Sequence, residues 1–183
     1  MRIRPTTRCQ DDPLPNASPN ARALLDPPLA RNLNWRPGCE PKEAAITAHW
    51  LLKSEPAKYS WDQMVKDKRT HWDGVRNFQA ANNLRAMKQG DRAFFYHSNE
   101  GKDIVGIVEI ARAFYPDPGD PSGKFGMVDV APMMPVKTPV SLAEMKQVPE
   151  LSGFSLLRQS RLSVCPVSDK EWAVICKMAG IKA

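Results

Sequence analysis

The spacing of apolar residues changes character at His49. Upstream, only Ala21–Leu25 breaks a series of turn-forming stretches such as Pro15-Asn16-Ala17-Ser18-Pro19-Asn20 and Arg36-Pro37-Gly38, and it is too short to hold a helix alone. Downstream, Trp50-Leu51-Leu52 is a continuous apolar run of the kind a buried strand carries, and Pro56 closes it. Ser60 is a cap for a short helix, Trp61–Lys66, with Asp62 in its first turn. Val75–Met87 carries Phe78, Ala81, Leu84 and Arg85 at near-helical spacing, with Gly90 beyond its end. Ala93–Tyr96 predicts a strand, Asn99-Glu100-Gly101 a turn, and Asp103–Ala111 the returning strand of an antiparallel hairpin. A proline- and glycine-rich loop follows from Pro116 to Gly123. Phe125–Val130 and Val136–Val140 read as two more strands, the second near an edge because of Pro139.

Toward the C-terminus, Ser141 opens a helix to Lys146 with Glu144 at the capping-box position. A further short helix is predicted near Gly153–Arg158 and a strand at Leu162-Ser163-Val164. Ser168, with Glu171 three residues on, caps a last helix, Asp169–Met178. Short strands among short helices, without an internal repeat, predict an α+β domain: a mostly antiparallel barrel of five or six strands flanked by helices.

Composition sharpens the boundary. Of 17 prolines in 183 residues, eight lie in the first 47 positions, which excludes a long helix or central strand there. Residues 1–47 are therefore expected to be a disordered, dispensable leader, and 48–183 the folded domain. Asp11, Asp12 and Asp26 argue against a transit peptide, and a native start near Ala48 is the alternative account of the leader. The chain has no apolar run long enough for a membrane span and no secretory h-region, so a cytoplasmic location is expected; the protein is also expected to be a monomer without a membrane partner. From His49 onward, 19 lysines and arginines stand against 15 aspartates and glutamates. That surplus permits an anionic partner without requiring one. Cys9, Cys39, Cys165 and Cys176 form no C-x-x-C pair and have no histidine at ligand spacing, so no metal site is expected. Cys165 and Cys176 sit in apolar contexts and read as reduced structural thiols.

Four segments carry candidate chemistry. Lys53-Ser54-Glu55 leaves the first strand, and Pro56 holds Glu55 extended, so three polar groups share one corner. An ordinary strand-to-turn transition is the alternative. Thr70-His71-Trp72-Asp73-Gly74-Val75-Arg76-Asn77-Phe78-Gln79-Ala80 sets the Trp72 indole beside a guanidinium and two carboxamides, the groups that a planar, heteroatom-edged ligand needs. A core Trp72 with Asp73 as a simple helix cap is the other reading. His97-Ser98-Asn99 closes a strand, and Arg158-Gln159-Ser160-Arg161-Leu162-Ser163 is polar and basic, suited to phosphate. No zinc-protease, phosphate-loop, dinucleotide or nucleophile-elbow pattern occurs, which favours a binding module over a cofactor-dependent enzyme.

Six segments in order resemble the EVE domain, the small domain of the thymocyte nuclear protein family and its bacterial relatives. They are Trp50–Pro56 (WLLKSEP), Trp72–Ala80 (WDGVRNFQA), Phe95–Asn99 (FYHSN), Tyr115-Pro116-Asp117, Val128-Asp129-Val130 and Arg158–Val167 (RQSRLSVCPV), spread over the whole chain after the leader. The resemblance implies a PUA-like pseudo-barrel related to YTH domains, without a cofactor. It implies a pocket with Lys53, Ser54 and Glu55 at one lip, and Trp72, Gly74, Val75 and Arg76 on an aromatic and helix-start wall. Asn77, Gln79, His97, Ser98 and Asn99 are implied around the rim, and Arg158, Arg161 and Ser163 on phosphate at the mouth. Phe125-Gly126-Met127 departs from a bulkier, tryptophan-rich strand in relatives. The expected function is noncatalytic binding of DNA or RNA through a modified base, methylated or hydroxymethylated, beside Trp72. A base-processing hydrolase using His97 and Glu55, and a sensor of free nucleobases, are the rivals.

Overall fold

In a computed structural model, which describes residues 47–182, β1 (His49–Ser54) is followed by α1 (Trp61–Asp67), β2 (Thr70–Trp72) and α2 (Phe78–Ala86). The strands β3 (Arg92–His97), β4 (Asp103–Pro116) and β5 (Gly126–Ser141) come next. Then come α3 (Leu142–Gln147), a 3₁₀ turn (Pro149–Leu151), α4 (Ser155–Arg158), β6 (Val164–Val167) and α5 (Asp169–Met178). The expected leader, apart from Thr47, lies outside the described residues, and so do Cys9 and Cys39. The fold is α+β as expected, with one six-stranded sheet ordered β2-β5-β4-β3-β1-β6.

Every neighbouring pair in that order is antiparallel except β1 with β3. The chain between these two strands contains α1, β2 and α2, long enough for the crossover that parallel pairing demands. The long β4–β5 ribbon shifts register at four places, beginning between Ile104 and Gly106. Such bulges bend and twist the strands that carry them. The two strands expected at Phe125–Val130 and Val136–Val140 are one continuous strand. β2 pairs only with Val128–Val130, so Pro132, Pro135 and Pro139 fall where β5 has β4 as its one strand partner among the described residues. A missing amide is tolerated on such an open edge. The last strand begins at Val164 rather than Leu162, because its ladder with β1 runs from Val164 opposite Leu52 to Val167 opposite His49.

β1 is covered on both faces, which explains its unbroken apolar run: Leu51 and Leu52 are both fully buried. Its Trp50 indole donates to Asp91 Oδ2 (3.0 Å), while the Ala48 and Lys88 amides donate to the same carboxylate. Asp91 is thereby buried with its acceptors satisfied. Trp172 of α5 stacks on Phe94 (4.0 Å between centroids) and on His49 (4.2 Å). Gly106 is needed for contact: a Cβ there would stand 2.3 Å from the Trp61 ring, so α1 lies directly on the β4 backbone. Both expected capping boxes are present, Ser141 with Glu144 and Ser168 with Glu171. No helix among the described residues is long and apolar enough to cross a membrane.

One helix begins later than its apolar spacing predicts. Asn77 is extended, and its side chain accepts from the Ala80 amide (3.0 Å), so α2 starts at Phe78 and Val75–Asn77 remain loop. Phe78, counted on the apolar stripe from sequence, is instead 65% exposed; Ala80, Ala81 and Leu84 form the buried face.

Candidate functional site

The parallel pairing of β1 with β3 brings their C-terminal ends side by side. Ser54 lies opposite His97, and both the amide and the hydroxyl of Ser98 donate to the Ser54 carbonyl (2.7 and 3.1 Å). The corner Lys53–Glu55 and the turn Ser98-Asn99 therefore form one lip. Facing it are β2 and the loop to α2, where Gly74 has φ +70°, a conformation that favours glycine. The segment before β6 supplies the third wall: the Lys53 amide donates to Ser163 O (2.9 Å) and Lys53 Nζ to Ser160 O (3.0 Å).

These walls enclose an open cavity of about 800 Å³. Of the residues expected at the site, it gathers Lys53, Ser54, Glu55, Trp72, Gly74, Val75, Arg76, Asn77, Ser98, Asn99, Arg161 and Ser163. Gln79 and Arg158 line instead an adjoining groove of about 360 Å³, which shares Asn77, Ser160 and Arg161 with the cavity. Gln79 is held there by Gln159 (3.0 Å).

His97 is a correction: it does not line the cavity. Two residues beyond Phe95 on β3, its ring lies edge-on to Phe95 (5.7 Å). Its Nε2 accepts from the Trp61 amide (3.3 Å), which leaves the proton on Nδ1, 4.0 Å from Asp103. Burial lowers its pKa, and the charges of Asp103 and Asp62 oppose that shift without reversing it.

Trp72 is the second correction. It lines the cavity but is only 9% exposed, and its ring meets Phe95 edge-on at 5.8 Å. It is a core tryptophan with a small surface toward the ligand space, not a free stacking plate. Arg76 is likewise committed, pairing with the nearly buried Asp117 (2.8 Å) and donating to Gly119 O (3.3 Å). The Arg76 hydrogen bond, with backbone donation from Gly119, holds Asp117 below the usual carboxylate range.

Sequence reasoning missed Lys58, Tyr59, Thr70, His71, Asp73 and Ser160 as lining residues. Thr70 and His71 belong to β2, whose three residues are too few to show a period. Lys58 pairs with Glu55 (2.9 Å), whereas Lys53 donates to a carbonyl and burial lowers its pKa. Asn77 spends its side-chain oxygen on the helix cap, and its amide N–H groups have no partner among the described residues. No group of three metal-ligating side chains occurs among the described residues. Cys165 and Cys176 are buried free thiols, and burial pushes Cys165 up to about 11.

The cavity opens between the ends of β1, β2 and β3, and its ionisable lining is basic on balance, with Lys53, Lys58, Arg76 and Arg161 against Glu55 and Asp73. Residues 48–178 match the EVE domain, and the chain belongs to that family. It is 35% identical to human thymocyte nuclear protein 1 over 167 residues, 73% of this chain and 74% of that protein. Among solved structures, a protein from Rhodopseudomonas palustris is 54% identical, with a TM-score of 0.71 over 73% of this chain and 94% of its own. The human THYN1 protein in complex with 5-methylcytosine-containing DNA is 34% identical, with a TM-score of 0.66 over 75% of this chain and all of its own (100%).

Proposed function

We propose that this protein is a noncatalytic, monomeric reader of DNA that takes one modified base, of the 5-methylcytosine kind, into the cavity at the ends of β1 and β3. The observation that carries the reading is that cavity, in a domain whose human relative binds 5-methylcytosine-containing DNA. Its volume lies within the roughly 300–1,000 Å³ of small-ligand sites. Turning a nucleotide out of its stack costs a few kcal/mol. Hydrogen bonds from Lys53, Asn77 and the Ser98-Asn99 lip offset this, and Arg161 at the mouth meets phosphate. A methyl group against Trp72 and Val75 adds about 0.8 kcal/mol per buried carbon. That is modest, so base identity is read mainly by the polar groups.

The hydrolase reading needs His97 and Glu55 in one cavity. The imidazole faces Trp61 and Asp103, while Glu55 pairs with Lys58. The deciding experiment is a titration of labelled duplexes and single strands, DNA and RNA, carrying cytosine, 5-methylcytosine or 5-hydroxymethylcytosine, with mass analysis of the strands afterwards. Tighter binding of a modified DNA and unchanged strand masses are expected. A changed mass, or equal affinity for every strand, overturns the proposal.

A further inference from the structure

Phe78 is the most exposed large apolar side chain among the described residues, at 65%, and it stands at the first position of α2. It is next to Asn77, which lines both the cavity and the adjoining groove. Its ring lies against Phe125, 5.2 Å between centroids, on the far side of the β4–β5 turn. That turn is pinned in place. Asp120 accepts from the Phe125 amide (2.7 Å) and from Ser122, and Arg76 ties Asp117 to the cavity wall while its guanidinium sits 5.7 Å from the Phe125 ring. Behind the pair, Arg85 covers the Phe114 ring at 5.2 Å and donates to the Lys124 carbonyl. Two aromatic rings are thus held next to the Asn77 corner of the cavity without lining it, with the Arg76 guanidinium at Phe125 and Arg85 behind.

We propose that Phe78, backed by Phe125, is a stacking platform for a nucleobase neighbouring the one taken into the cavity, with Arg85 and Lys124 along the adjacent phosphates. The inference rests on the proposed reader function and adds a second contact to it. Aromatic rings accept any base on their faces, so this contact supplies affinity without sequence preference. It also fits the geometry of extraction, because a nucleotide drawn from the stack exposes the faces of its neighbours, and an apolar wedge beside the cavity covers them. With Arg76 neutralised by Asp117, Arg85 and Lys124 against Asp120 leave this surface with a small positive excess, which suits a phosphate backbone better than an apolar protein partner.

The test is a titration of the full chain, as wild type, Phe78→Ala and Phe78→Trp, with a duplex carrying one 5-methylcytosine, at several salt concentrations. Phe78 is largely outside the core, so the variants fold, and a thermal melt verifies this. Phe78→Ala is expected to lose about tenfold in affinity, with the salt slope unchanged because no phosphate contact is removed. Phe78→Trp is expected to retain wild-type affinity. Wild-type binding that Phe78→Ala leaves intact overturns the platform alone. Loss in both variants also overturns it, since an aromatic ring would then not suffice. A wild type that binds no DNA overturns the reader function and this inference with it.

Discussion

Trp72 shows how one residue serves both stability and the site. Residue types leave it undecided between core and ligand wall; 9% exposure and an edge-on contact with Phe95 place it in the core with a strip facing the cavity. Trp72→Ala is therefore expected to cost roughly 3–5 kcal/mol of stability, as truncation of a buried aromatic does. Denaturant melts check this, and a loss under 1 kcal/mol would return Trp72 to a ligand-facing role. Arg161 lies at the opposite extreme, exposed at the junction of the cavity and its neighbouring groove. Arg161→Gln is expected to weaken modified and unmodified duplexes alike and to lower the salt slope by about 0.9, the value of one phosphate contact on duplex DNA. Affinities measured from low to moderate salt decide it. An unchanged slope with lost base preference would move Arg161 into base recognition.

At the level of elements, caps and turns were legible because their chemistry is local. Ser141 and Ser168 each place a hydroxyl and a glutamate three residues apart, and both boxes form. The hairpin turn around Asn99 and Gly101 also appears where its residues permit positive φ. The antiparallel pairing of β3 with β4 across that turn was legible too, but the other pairings were not, since they depend on partners distant in sequence. The parallel contact of β1 with β3 decides that Ser54 meets Ser98, and nothing within either segment encodes it. The pleat likewise turns His97 away from the cavity although its neighbour Ser98 lines it. Phe78 misled for the opposite reason: its spacing fits a buried stripe, but Asn77 caps the helix just before it, at the exposed end. The caps themselves yield a contrast. Ser168→Ala is expected to cost about 1 kcal/mol of stability and to leave DNA affinity unchanged, because neither Ser168 nor any residue of α5 lines the cavity. Asn77→Ala removes a comparable cap but also a lining amide, so both stability and affinity should fall. Equal affinities for the two variants would show that Asn77 acts through the helix alone.

Over the whole molecule, two ionisable groups at the edges of the site tie stability to pH in the same direction. His97, half-buried against Trp61 and facing Asp103 and Asp62, has its pKa lowered by burial, so the folded state resists the proton that the unfolded chain accepts near pH 6.5. Above that value both states hold a neutral imidazole and stability is unaffected. Below it the unfolded chain gains protons first, and stability declines until the folded pKa is passed. Asp117 adds a second decline at lower pH. Its carboxylate is held ionised by Arg76 and Gly119, so the unfolded chain is protonated first as pH falls below about 4. Denaturant midpoints measured from pH 8 to 3 should therefore fall in two steps, with none of the loss regained on acidification. His97→Gln cannot take up the proton, so it is expected to flatten the upper step and leave the lower one in place. Should the upper step persist in that variant, its source would be a different group, and the half-buried contact of His97 with the Trp61 amide would not be what links this fold to pH.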